Sequence, residues 1–212
     1  MVKCNLNERT CGGIKLYSIY DVVALGSILL VIYIVIDVIK NRTKNLLRRI
    51  ILYSFVFYLL NVIQLTTGGI VFPPQRDFVP RIQLVPLYFI DDFYGMYHNN
   101  GLDWFFWNSV KLSFYNLIML VPLGIYLSVL FKLKSILKSL LIVLAISLSI
   151  ETFQLIFGFL GLVRGRGFNV DDLILNTLGG LLGFVFAELI KRIFVFVKNK
   201  YKNNHKEQRD FT

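Results

Sequence analysis

Apolar residues dominate five stretches of the chain, at about 16–38, 50–67, 111–131, 136–157 and 170–190, with polar and basic residues returning between them. Each stretch is close to the ~20 residues a helix needs to cross the hydrocarbon core of a bilayer. Their apolar residues run on without the one-sided stripe of a surface helix, so the surroundings must be apolar on nearly every side. The pattern predicts an all-α, polytopic membrane helix bundle of about five transmembrane helices. It divides the chain into an N-terminal tail at 1–15, a transmembrane domain at 16–192 with a long loop at about 68–108, and a basic tail at 193–212.

Composition supports this reading. Hydrophobic residues make up 56% of the chain and mean hydropathy is +0.63, which in a water-soluble domain would leave large adhesive patches. The 23 Lys and Arg outnumber 13 Asp and Glu, for a net charge of +10. The bases lie mainly between and after the apolar runs, which points to anionic lipid and membrane topology rather than nucleic acid. Most of them, including Lys40, Arg42, Arg48, Arg49, Lys132, Lys134 and the tail lysines, fall on one side of the membrane. This bias predicts an N-terminus outside and a cytoplasmic C-terminus, although Lys3, Arg9 and Lys15 pull the other way. Cys4 and Cys11 can pair if the N-terminal tail is outside, or remain thiols; with no histidine nearby they suggest no metal site, and no cofactor is expected.

The long loop carries Pro73, Pro74, Pro80 and Pro86, so its first half should be extended. Its second half holds Tyr94, Tyr97, Trp104, Phe105, Phe106 and Trp107. An interfacial aromatic belt at the start of the third span accounts for these residues. A helix lying on the membrane or a re-entrant turn is the alternative.

Polar residues at bilayer depth cost about 2.5–3.5 kcal/mol when charged, so each needs a reason. Ser147, Glu151, Gln154 and Gly158 follow helical steps and share one face of the fourth span. Asp172, Asn176, Gly179 and Gly183 form a matching stripe on the fifth. Gly179 and Gly183, widened by Gly180, make a small-xxx-small surface that should draw spans four and five together. Span three adds Asn116, then Pro122 and Gly124, where the helix should kink; span two adds Asn61 and Gln64. Under the charge-derived topology all these polar groups fall toward the outer leaflet, at the level of Arg81, Arg164 and Arg166, whereas the inner halves are almost wholly apolar. The candidate binding set is Arg81, Asn116, Glu151, Gln154, Arg166, Asp172 and Asn176.

Each member also has a structural reading. Asn169 can cap span five, with Asp171 and Asp172 placed in its first turn by the helix dipole. Glu151 can be a buried partner of Arg164 or Arg166. Asn116, Gln154 and Asn176 can be interhelical hydrogen-bond glue, and Arg81 and Arg166 can snorkel to headgroups. Asp91 and Asp92 read as exposed loop charges. The convergence of these residues, more than any one of them, points to a pocket.

Four segments carry a family resemblance: RIQLVP at 81–86, NLIMLVPLG at 116–124, SIETFQ at 149–154 and RGFNVDDLILNTLGG at 166–180. In this order they resemble the VanZ-like family of bacterial membrane proteins, with Leu87 standing where the family often has Phe. The resemblance implies a role at the cell envelope, through a family named for an accessory protein of resistance to the glycopeptide teicoplanin. It implies no particular reaction.

Three functions compete. In the first, an outward pocket binds a lipid or cell-wall-precursor headgroup, with Arg81 and Arg166 suited to phosphate or carboxylate, and thereby lowers susceptibility to glycopeptides such as teicoplanin. In the second, Glu151 and Asp172 are the acid/base pair of an enzyme modifying such a headgroup, or hold a divalent cation together with Asp171; no nucleophile stands beside a base to support it. In the third, the chain is a small transporter or channel subunit, which the apolar inner halves disfavour in a monomer.

Overall fold

The computed structural model describes the backbone of residues 4–5, 10–11, 14–15, 17–19, 22–42, 44–74, 79–163 and 165–210, and side chains within 23–201 apart from 43, 72, 75–78 and 164. Arg164 and the side chains of Cys4 and Cys11 therefore lie outside the described residues. At the N-terminus short strands β1 (Cys4–Asn5), β2 (Thr10–Cys11) and β3 (Ile14–Lys15) form an antiparallel ribbon whose register sets Cys4 opposite Cys11. Strand β4 (Tyr17–Ile19) follows, so the first helix, α1 (Val22–Asn41), begins later than its apolar run.

Among the described residues five helical spans are long and apolar enough to cross a membrane, and the chain is a multi-pass membrane protein. They are α1; α2 (Leu46–Thr67); α4 (Trp104–Met119) continued by α5 (Val121–Val129); α6 (Ile136–Phe159); and the first part of α7 (Val170–Asp210). Helix α2 stops at Gly68, whose left-handed φ of 62° lets its N–H bond the Gln64 carbonyl. Helices α4 and α6 start on side-chain caps, Asp103 accepting from the Phe106 N–H at 2.8 Å and Ser135 from the Lys138 N–H at 3.3 Å.

Several boundaries differ from the sequence expectation. Span three begins at Trp104, not near 111, because the aromatic segment is itself helical. Lys111 then lies inside it, exposed, with its ammonium over the Tyr115 ring at 5.5 Å. The expected kink is a full break at Leu120, and Pro122, which lacks an N–H, sits in the first turn of α5. The Tyr58 hydroxyl of α2 donates to the Met119 carbonyl beside that break at 2.9 Å.

The long loop is more ordered than a linker. Strand β5 (Ile70–Phe72) pairs with β4, and β6 (Ile82–Gln83) pairs in parallel with β7 (Phe168–Asn169). Helix α3 (Tyr88–Asn100) follows, amphipathic and packed on α4, with Tyr94 and Tyr97 exposed. Asp91 and Asp92 thus lie on a helix; Asp91 is exposed as expected, but Asp92 is half-buried and accepts from the Ser109 hydroxyl at 3.3 Å.

Helix α7 is the hub of the bundle and packs on α4, α5 and α6. A Cβ on Gly179 would lie 1.7 Å from the Leu117 carbonyl oxygen, and one on Gly183 2.1 Å from that of Val121. A Cβ on Gly124 would lie as close to the Gly180 carbonyl oxygen from the other side, at 1.9 Å. The glycine surface therefore grips span three, and only Gly180 faces span four, against Val143. Below it Leu120, Leu123, Leu127, Val143 and Phe184 close the apolar core. In a bilayer such contact is itself the driving force, since lipid tails are as apolar as the side chains.

The end away from β7 carries two polar clusters that the apolar reading of this half did not anticipate. Asp37 of α1 pairs with Arg49 and with the Tyr53 hydroxyl of α2, and Arg49 also donates to the Arg42 carbonyl at 2.9 Å. Glu188 accepts from the buried Ser128 hydroxyl at 2.9 Å and pairs with Lys191, which reaches the Ser128 carbonyl at 3.1 Å.

Candidate functional site

At the opposite end, four elements bring polar groups together around the start of α7. Glu151 is 1% exposed in the interior of α6, and its Oε2 accepts the backbone N–H of Asn169 at 3.0 Å. An ionised or neutral carboxyl at such depth needs this kind of partner. Asn169 caps α7 as the sequence suggested, its Oδ1 accepting the Asp171 N–H at 2.9 Å. Its Nδ2 also donates to Asp172 at 3.1 Å. Half-buried Asp172 also lies near Asn116 of α4 and near Glu151. Asn169 is thus a junction between Glu151 and Asp172, a place that its position before two aspartates suggested only as a cap.

Asp171 has a role beyond its own helix. Its Oδ2 accepts the backbone N–H of Phe89 at 2.8 Å, while its other oxygen is buried without a partner. Helix α3 starts after Leu87, whose φ of 62° is left-handed and whose side chain cannot cap. A carboxylate from α7 supplies the missing cap, so one acid sits at the positive ends of two helices.

Arg166 is half-buried in the turn before β7 and donates from Nη2 to the Leu65 carbonyl at 3.1 Å, near the C-terminal end of α2. It lies near Glu151 and Asp172 without forming an ion pair with either. Gln154 is buried and donates to the next carbonyl of α2, that of Thr66, at 2.7 Å. Gly158 packs against Pro80 and the Arg166 carbonyl.

Not every expected member joins the cluster. Arg81 contributes its backbone: its carbonyl accepts from the Phe168 N–H at 3.0 Å, and a Cβ on Gly167 would lie 1.9 Å from it. Its side chain is exposed and has no hydrogen-bond or ion-pair partner among the described residues. Asn176 is fully buried one turn below Asp172, with its Oδ1 unpartnered. Asn61 turns to the Phe57 carbonyl of its own helix at 2.8 Å. Among the described residues no group of three His, Cys, Asp or Glu is placed to hold a metal ion.

A cavity of about 260 Å³ lies beside the cluster rather than over its carboxyl groups. It is lined by Val62, Ile63, Thr66 and Thr67 of α2, Ile150, Phe153, Gln154 and Phe157 of α6, and Val163, so Gln154 belongs to both regions. The sequence gives no sign of it, because neither helix alone is concave there.

The arrangement defines a multi-pass membrane protein whose polar groups are organised at one end by a buried glutamate. The chain belongs to the VanZ/LLP1 family, whose model matches residues 24–191 and therefore all five spans. Neither the curated proteins nor the solved structures provide a match.

Proposed function

We propose that this protein is a cell-envelope factor that binds the headgroup of a lipid or lipid-linked cell-wall precursor at the outer end of the bundle. Such binding lowers susceptibility to glycopeptides such as teicoplanin by masking or redistributing their target. The observation that carries the reading is Asn169, which joins the wholly buried Glu151 to half-buried Asp172 in the turn that also carries half-buried Arg166. Arg166 suits a phosphate; Asp172 and Asn116 suit the hydroxyl or amine donors of the same headgroup. Exposed Arg81 serves as an outer anion contact. Asn176 and Gln154 hold the walls of the site.

Replacing Arg81 and Arg166 together with Gln tests it. Teicoplanin tolerance and binding of purified protein to anionic lipid vesicles should both fall; if neither moves while the protein remains in the membrane, the reading is wrong.

A second reading makes Glu151 and Asp172 an acid/base pair acting on the same headgroup. It draws support from their shared partner Asn169. Glu151 at 1% exposure is poorly placed to meet a substrate, which ranks this reading second. Lipid profiles of overexpressing and deletion strains separate the two, since binding alone creates no new lipid species.

A further inference from the structure

The cavity between α2 and α6 is not absorbed by the headgroup reading. Both helices are membrane spans, and two of its lining residues, Ile63 (48% exposed) and Phe153 (56%), also face outward. Helix α2 touches α6 only sparsely, so the gap between them opens sideways. Whatever fills a lateral, apolar gap at bilayer depth must come from the surrounding hydrocarbon or from another apolar helix.

The cleft is apolar along its length, from Val62, Ile63 and Ile150 to Phe157 and Val163, because Thr66, Thr67 and Gln154 spend their polar groups on backbone carbonyls. One end of it lies where Arg166 binds the Leu65 carbonyl of α2. A phospholipid seated in the apolar cleft brings its anionic phosphate to the Arg166 guanidinium at that end, a match that an apolar helix from a partner does not offer. The volume is small, and an unbranched chain fills a narrow slot better than a methyl-branched prenyl chain does.

We infer that the α2–α6 cleft holds one acyl chain of a bilayer phospholipid, whose phosphate comes up beside Arg166. The site is then a chain slot and a headgroup platform joined at Gln154. This rests on the headgroup reading for the phosphate, but the slot itself can be tested apart from it.

Purified protein in nanodiscs of phosphatidylglycerol would be photolabelled with a phospholipid carrying a diazirine midway along one acyl chain, and adducts mapped by peptide mass spectrometry. Adducts should concentrate on the peptides holding Ile63 and Phe153, roughly tenfold above those on the lipid-facing α1 residues Ile28 and Ile32. Ile63→Trp, at the exposed lip, should remove that excess without disturbing α1 labelling. Equal labelling of cleft and α1 would overturn the slot, as would a disulfide forming between copies of an Ile63→Cys variant in which Cys4 and Cys11 are replaced by Ser. A diacylglycerol probe tests the headgroup separately. Weaker cleft labelling than with the phospholipid, and loss of that difference in Arg166→Gln, supports both parts; equal labelling by the two probes keeps the slot and rejects the phosphate contact.

Discussion

The Glu151 carboxylate accepts the backbone N–H of Asn169 at 3.0 Å, so a side chain in the interior of α6 determines where α7 begins. A glutamine keeps an acceptor at that place and an alanine does not. Glu151→Ala should therefore destabilise the protein by about 2–4 kcal/mol, from an unsatisfied N–H and a new cavity, while Glu151→Gln costs clearly less. Thermal unfolding in detergent checks the order; equal losses would mean that the charge, not the hydrogen bond, matters.

Glycine on a helix usually costs stability relative to alanine, by about 1 kcal/mol. At Gly179 the sign should reverse, because a Cβ would sit 1.7 Å from the Leu117 carbonyl oxygen and force α4 and α7 apart. Gly179→Ala should destabilise by about 1–3 kcal/mol. Gly95 of α3 has nothing within 4 Å of its Cβ position, so Gly95→Ala should be neutral or stabilising. Both shifts can be read in the same unfolding assay.

Helix α3 depends on a cap from a distant segment. Asp171→Ala should leave the Phe89 N–H unpaired and cost about 1 kcal/mol locally, seen as faster amide exchange across 88–93 with α6 unaffected. Leu87→Gly should do the opposite or nothing, since glycine adopts the left-handed conformation freely.

Topology is a direct consequence of the proposed site. In a chain with Cys4 and Cys11 replaced by Ser, Gly165→Cys should react with a membrane-impermeant maleimide on intact cells. Lys200→Cys should react only after permeabilisation. The reverse pattern would put the Arg166 turn in the cytoplasm and remove the outward site.

All five spans were legible in the sequence because a run of about twenty apolar residues matches the thickness of a bilayer and would be insoluble outside one. The facing of Glu151 and Gln154 into the bundle was legible too, since helical periodicity fixes which residues share a side. The partner of the Gly179–Gly183 surface was not: a flat face says that something approaches closely, not which helix does. Helix α3 was foreseen only as an alternative, because its polar Asp91, Asp92, Asn99 and Asn100 weaken any apolar signal. The part played by Asp171 in capping it spans 82 residues of sequence and has no local signature. Glu188 escaped notice for a different reason: Lys191, three residues on, makes it look like an ordinary surface pair, yet its Oε1 also holds the buried Ser128.

Helix α7 runs for 41 residues, about 61 Å, roughly twice the thickness of the hydrocarbon core. It is pinned at its first turn by Asn169 and Asp171, clasped midway through Gly179 and Gly183, and tied again at Lys191. A stiff rod held at three points along one half cannot bend locally to absorb a load applied to the other. A push or twist on its C-terminal half therefore passes through the Lys191 tie and along the clasped segment to the hydrogen bonds at its first turn.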